Sequence, residues 1–355
     1  MKTSRVETVI KNMQKAGMSQ LIISDPDSLF YLCGIGYDPG ERLLAMYLDA
    51  DGNAHLFNNH MFPQEPQDGL NIHLYDDVDD YMGMIAGVVK PGPIGIDKFW
   101  RAKFLLPLLE KAPGLEPKLG SAAVDDARNL KDAEEIELLR QSSAMNDATM
   151  GEVIKHLGDG MSESQMARFV AETHVKNGAD AAVDQLVCYG IGCSEPHHEC
   201  GAATVKPGDS VIFDIFAPRK HYWCDMTRTV FYKSADDEQK KVYEIVKAAN
   251  LAGEAAIRPG VRLCDIDGAA RKVIEDAGYG KYFTHRLGHG CGLAIHEPPD
   301  CSSVCQQVVQ PGMCFSVEPG VYIPGKWGMR VEDLIVVTED GCEVLNKFTK
   351  EMIIV

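Results

Sequence analysis

The feature that most constrains this chain is a set of ionisable residues standing inside, or at the ends of, its most apolar runs. Asp214 interrupts Val211, Ile212, Phe213, Ile215 and Phe216, a run of β-branched and aromatic residues that reads as a buried strand. A carboxylate there is costly unless it is paired or binds a cation. Asp225 lies eleven residues on, in WCDMTRTV, just before a second β-rich run. Glu318 closes the apolar run of FSVEPG, and Glu332 sits inside MRVEDLIVV, which reads as one strand. His289 stands in HRLGHGCG, where Gly288, Gly290 and Gly292 let the backbone pack closely around the ring. Each residue alone has an ordinary alternative. Asp214 could form a structural salt bridge, Asp225 could pair with Arg228, and the glycine-rich stretch could be a phosphate loop. The last is disfavoured because no Lys-Ser/Thr follows. Taken together, four carboxylates and one imidazole suit manganese, cobalt or iron at least as well as zinc.

The rest of the composition narrows the function classes. With 35 Lys and Arg against 52 Asp and Glu, the net charge of −17 argues against nucleic acid or an anionic membrane as partner. The N-terminus has apolar residues at helical spacing (Val6, Ile10, Met13) and no apolar signal core, and no 18-residue apolar run occurs. A cytoplasmic location is expected. Eleven cysteines, an odd number, suit reduced thiols better than a disulfide framework. Cys188, Cys193, Cys200, Cys301 and Cys305 lack the paired Cys-x-x-Cys spacing of a structural zinc site, so free thiols are expected.

A length of 355 residues predicts two domains. The first part alternates helices and strands: a helix over 3–17, a capped helix ending at Gly34, and a hairpin around Asp49–Asn53 with Gly52 in the turn. The Pro- and Gly-rich stretch 112–121 reads as an inter-domain connection. The division is accordingly set at 1–122 and 123–355. The second part reads as two helices (132–157, 162–177) and strands at 183–189, 210–216 and 228–232. Two more helices (236–257, 263–277) and strands at 313–317 and 333–337 follow. Helices then strands, twice over, point to an internal duplication.

In order and spacing these motifs resemble the family of Xaa-Pro aminopeptidases and prolidases. These are the pita-bread peptidases, which also include methionine aminopeptidase and creatinase. The resemblance runs through LFYLCGI and LLAMYLDADG, then ARNLKDAEEIELLRQSSAMND, then PHH, FDI, CDMTRT, HRLGHGCGLAIHEPP, SVEPG and RVEDLIVVTEDG. It implies an α/β (α+β) architecture: a small creatinase-like N-terminal domain, then a pita-bread catalytic domain with a pseudo-twofold repeat. It also implies two divalent ions, manganese foremost, with cobalt, iron or zinc as alternatives. By the resemblance Asp214 chelates one ion, His289 and Glu318 bind the other, and Asp225 and Glu332 bridge them. His197 and His296 would line the substrate pocket and stabilise the oxyanion, Glu318 would move the proton, and His285 and Arg330 would lie near the metals. His198 enters only as a neighbour of His197.

The implied activity is hydrolysis of the bond before proline, in Xaa-Pro dipeptides or at peptide N-termini. Arg286 suits recognition of a dipeptide's free carboxylate. The alternatives are an Xaa-Pro aminopeptidase acting on longer peptides, or a binding module on the same fold. A homodimer is expected, with the loop Gly34–Arg42 reaching toward a neighbouring subunit.

Overall fold

The computed structural model describes residues 1–355, which divide into two compact units, Met1–Arg128 and Asn129–Val355. In the first unit a six-stranded mixed sheet runs in the order Leu70–Tyr75, Ala54–Asn59, Ala45–Asp49, Gln20–Ile23, Gly92–Ile96, Leu115–Leu119. Local chemistry explains its turns. Asp25 caps the helix Pro26–Cys33 by accepting from the Ser28 amide at 3.2 Å, and Gly34 ends it at φ 72. Gly52, at φ 88, supplies the hairpin turn, braced by the Asp51 and Asn53 amides donating to Asp49.

The stretch 112–121 is not an open connection. Its centre, Leu115–Leu119, pairs in parallel with Gly92–Ile96 as the edge strand of the sheet. Pro117 is compatible with that place because an edge strand can spare one amide donor. The helix Ala122–Asn129 follows. Arg128 fastens it to this unit through Asp25 Oδ2 at 2.8 Å and Ser28 Oγ at 3.1 Å.

The second unit is built twice. Helices Ala133–His156 and Glu163–Lys176 precede strands Leu186–Tyr189, Ser210–Arg219 and Tyr222–Phe231. Helices Asp237–Ala256 and Leu263–Asp276 precede strands Gly288–Gly290, Cys314–Val317 and Asp333–Val337. The duplication lives in backbone punctuation. Capping boxes open the first helix of each half, at Asp132/Glu135 and Asp236/Gln239. Those helices end at Leu157 and Ile257, both extended. Left-handed glycines then recur at Gly160 and Gly260, Gly178 and Gly278, and Gly208 and Gly312. Isolated bridges Ser162–Thr204 and Arg262–Val308 occupy equivalent places. Turn residues survive because only glycine adopts these φ values without strain, whereas core residues can be exchanged for others of similar bulk.

Each half buries its helices on its own sheet. Met150, Met166 and Val170 pack on Phe213 and Ile215, and Val242, Val246 and Ile266 pack on Phe315 and Ile335. His174 lies in the first half with no exposed surface, its Nε2 2.9 Å from Asn146 Oδ1. Burial pulls its pKa down to about 4. A depressed pKa means stability that is complete above the unfolded value near 6.5 and is lost as pH falls toward 4. Urea unfolding should therefore show a loss of about 3 kcal/mol from this residue by pH 4, which His174→Gln removes. An equal pH slope in both proteins would contradict this.

Three strand limits differ from those read in the sequence. The strand expected at 228–232 begins at Tyr222, so Asp225 lies within it and not before it. Val331 and Glu332 fall in a break between strands Trp327–Arg330 and Asp333–Val337, so Glu332 is at a kink. Short apolar runs carry no signal for such a break, which is set by the partners of the flanking strands. The strand expected at 183–189 begins only at Leu186.

Candidate active site

Two antiparallel strands, Ser210–Arg219 and Tyr222–Phe231, supply the first carboxylates. Their register sets Asp225 opposite Phe216, and strand Leu186–Tyr189 sets Leu186 opposite Asp214. Asp214 and Phe216, two residues apart, share one face of their strand. From the second half come His289, Glu318 and Glu332. His289 sits at a bulge between two close backbones: a Cβ at Gly288 would fall on the Ser316 carbonyl, and one at Gly290 on that of Pro298. Only glycine lets the sheet close around the ring.

The ligand atoms of Asp225, His289 and Glu332 all lie within 4.8 Å of one another, and all three residues are buried. His289 Nε2 is 3.6 Å from Asp225 Oδ2 and 3.5 Å from Glu318 Oε1. With ligand bonds of about 2.1 Å, donors sharing one ion stand about 3.0–3.4 Å apart. His289 Nδ1 is 3.1 Å from the Gly290 carbonyl, which can only accept, so Nδ1 carries the proton and Nε2 keeps its lone pair. Asp225 Oδ1 is buried with no hydrogen-bond partner. A buried, unpartnered carboxylate oxygen facing further carboxylates is what a cation would satisfy, and the donor set fits a divalent ion.

Asp214 is placed differently. Its Oδ2 accepts from Arg330 Nη2 at 2.5 Å, the salt bridge considered as its ordinary alternative. The alternative for Asp225 does not occur. Arg228 turns away and pairs with Asp333 at 2.7 Å. In an extended strand residues 225 and 228, three apart, point to opposite faces.

Hydroxyl groups brace the cluster. Thr227 Oγ1 donates to Glu332 Oε2 at 2.6 Å and accepts from Arg330 Nε at 2.9 Å. Ser316 Oγ accepts from the His289 amide at 3.0 Å and donates to Glu318 Oε1 at 3.1 Å. Tyr322 OH accepts from Arg330 Nη1 at 2.8 Å and lies 3.0 Å from His285 Nε2. These three escaped the sequence reading because a hydroxyl in an apolar strand is an ordinary core residue until its partner is known.

Electrostatics agree with a missing positive charge. Burial, then the charges of Glu332, Asp214 and Glu318, hold the Asp225 carboxyl well above the usual carboxylate range. Burial, then Glu318 and Asp214, does the same to Glu332. Burial lifts Glu318 to about 7, and burial with the neighbouring His296 drops His289 to about 3. A cation bound among these carboxylates would offset their mutual repulsion and favour their ionised forms.

The cluster forms the floor of a cavity of about 290 Å³. All ten residues singled out in the sequence line it: His197, Asp214, Asp225, His285, Arg286, His289, His296, Glu318, Arg330 and Glu332. Leu186, Pro196, Phe216 and Ile295 complete the wall and were not singled out. For Phe216 a signal existed, since it follows Asp214 at the strand period of two. His296 stacks edge-on against His289 with ring centres 4.2 Å apart. Arg286, at the rim, pairs with Asp300.

Residues 137–339 match the model of metallopeptidase family M24, and residues 5–130 that of the creatinase/prolidase N-terminal domain. The chain belongs to metallopeptidase family M24. It is 34% identical over 351 residues to the probable dipeptidase PepE of Mycobacterium bovis, covering 96% of this chain and 93% of that one. It superposes on a dipeptidase from Pyrococcus horikoshii with a TM-score of 0.94, at 31% identity and 99% and 100% coverage. The prolidase from the same organism gives 0.91 at 28% identity, with 99% and 100% coverage. The M24 chain is thus a peptidase of a divalent-metal family, with a creatinase-type N-terminal domain and a pita-bread domain. Its buried Asp225, His289 and Glu332 group is suited to the ion.

Proposed function

We propose that this M24 peptidase hydrolyses the bond before proline in short peptides, foremost Xaa-Pro dipeptides, with two divalent ions. The observation that carries the reading is the cavity itself. Its floor is the carboxylate–imidazole cluster with the unpartnered Asp225 oxygen, and its walls combine imidazoles with Leu186, Pro196, Phe216 and Ile295. At about 290 Å³ it is at the small end for ligand pockets, which run from about 300 Å³ upward. A prolyl amide has no N–H to satisfy and a ring to bury, so apolar walls suit it.

Asp214, Asp225, His289, Glu318 and Glu332 would hold the ions, manganese foremost, with cobalt, iron or zinc possible by donor type. When bound, two such ions ionise water near neutrality and polarise the scissile carbonyl. Arg330 orients Asp214 while Tyr322 ties Arg330 to His285. His197 and His296 donate toward the oxygen on which negative charge develops. Glu318 takes the proton of the attacking water and delivers it to the departing proline nitrogen. The reading extends to a cytoplasmic homodimer. Eleven free cysteines suit a reducing compartment.

Arg286 separates two substrate classes. A dipeptide's free carboxylate would compete with Asp300 for this guanidinium. Arg286→Ala should then raise KM for Ala-Pro several-fold more than for Ala-Pro-Ala. Equal effects would favour an Xaa-Pro aminopeptidase acting on longer peptides, which the standing Arg286–Asp300 pair also supports. The broader test is hydrolysis of Ala-Pro, Ala-Pro-Ala and Met-Ala by metal-stripped and manganese-reloaded protein. Cleavage of Ala-Pro only after reloading is expected. Preference for Met-Ala, or no cleavage with manganese, cobalt or zinc, would overturn the proposal, the latter leaving a binding module.

A further inference from the structure

His296 is carried on a turn, Gly292–His296, in which Leu293, 4% exposed, is the one buried apolar side chain. Directly after it, Glu297 forms an ion pair with Lys131, Nζ to Oε1 2.6 Å, with side chains only 6% and 1% exposed. The other Glu297 oxygen accepts from the Ala294 amide at 3.3 Å, inside the turn. Gly292 has no room for a side chain, since a Cβ there would meet Glu297 Oε1 and approach Lys131 Cε. Lys131 is itself immobilised. Its amide donates to the Gly312 carbonyl at 2.9 Å, and the capping box at Asp132 starts the long helix immediately after it.

A buried ion pair is poorly explained by stability, because well-packed apolar residues of similar volume usually serve as well or better. What the pair does supply is direction. The geometry points to Lys131 and Glu297 as positioning residues that fix the turn bearing His296, and through it the imidazole's place in the cavity. This rests on the proposed hydrolytic role of His296. Two other pocket loops are held in the same way. Buried Glu163 accepts from the Tyr189 and Gly201 amides (2.8 and 2.9 Å) and lies 3.1 Å from His198 Nε2, tying down the loop with His197. Buried Asp267 binds Arg271 and accepts from the Leu287 amide, while Arg271 donates to the His285 carbonyl at 2.9 Å. His198, a mere neighbour in the sequence, thus has a structural task.

The test compares Lys131→Met/Glu297→Leu, which replaces the pair by apolar residues, with Lys131→Met/Glu297→Gln, which keeps an acceptor for the Ala294 amide. In the first variant kcat on Ala-Pro should fall about 10- to 100-fold, the usual effect of misplacing a group by about 1 Å, with KM changed less. Its Tm and bound manganese should match the parent. Hydrogen exchange at the Ala294 amide should quicken at least tenfold while exchange elsewhere is unchanged. The Gln variant should recover part of both losses. Parental kcat and parental Ala294 exchange in a folded Leu variant would overturn the proposal. If that variant does not fold, Lys131→Met/Glu297→Met, which also removes both charges and the acceptor, replaces it with the same two readouts. If the parent itself leaves Ala-Pro uncut, the proposed function fails, whereas the exchange measurement still decides whether the pair holds the turn.

Discussion

Asp225→Asn and Glu332→Gln should each cut peptidase activity by about a thousandfold or more, some 4 kcal/mol of barrier, without weakening the metal-free fold. Both carboxylates lie with Asp214 and Glu318 in a buried cluster that Arg330 alone offsets through a direct ion pair, made with Asp214. Removing one charge deprives a cation of a donor, so activity and bound metal fall together. The same change removes repulsion, so the melting temperature in chelator should hold or rise. The pH dependence has a defined sign. A carboxyl raised by folding contributes stability that is complete below its unfolded pKa and lost as pH climbs through the folded value. For Glu318 that window runs from about 4.5 to about 7, and Asp225 and Glu332 extend it upward. Buried histidines such as His174 and His289 gain stability over the same range, so the test is a comparison. Between pH 5 and pH 8 the chelated wild type should lose more Tm, or gain less, than chelated Asp225→Asn, and manganese should raise the wild-type Tm more at pH 8. Metal analysis, thermal unfolding and Ala-Pro hydrolysis check all of this. Full rate in either variant would refute the two-metal reading.

Arg228→Met should destabilise the protein by about 3–5 kcal/mol, lowering Tm by about 10 °C. Arg228 is 1% exposed, and its guanidinium spends five bonds inside the protein. It donates to Asp333 Oδ1 at 2.7 Å and to the carbonyls of Thr227, Glu332, Phe348 and Thr349. It thereby joins the strand of Asp225, the kink at Glu332 and the C-terminal segment. Methionine fills much of the volume and satisfies none of these acceptors. Lys350 also pairs with Asp333, at 2.8 Å, and with Glu254, at 2.6 Å, so part of the charge balance survives. Arg228→Met/Asp333→Leu should recover part of the loss. A loss under about 1 kcal/mol for the single variant, measured by urea unfolding, would show that the network is dispensable.

The parts of this architecture that could be read in the chain are those that local chemistry controls. Asp25 and Gly34 bound a helix, Gly52 makes a hairpin, and Asp132 and Asp236 open capping boxes. Strand limits read less well. The edge strand Leu115–Leu119 hides in a Pro- and Gly-rich stretch because its pairing to Gly92–Ile96 is a long-range fact.

The cavity shows the same division most clearly. Ionisable residues set in apolar runs already demand partners, since an isolated buried charge is too costly to keep. That requirement drew attention to Asp214 and Glu332. It was the order and spacing of all five motifs, and their resemblance to the prolidase family, that joined Asp214, Asp225, His289, Glu318 and Glu332 into one site. Who the partners are depends on sheet register and on elements some hundred residues apart. Asp225 faces His289 and Glu332 and not nearby Arg228, because successive residues of a strand alternate faces and these two stand three apart. Asp214 is held by Arg330, and Glu297 by Lys131, across 116 and 166 residues. Short-range patterning reveals which side chains need a partner, and packing of the two duplicated halves selects it, because electrostatic pairing acts over a few ångströms of space whatever the distance along the chain.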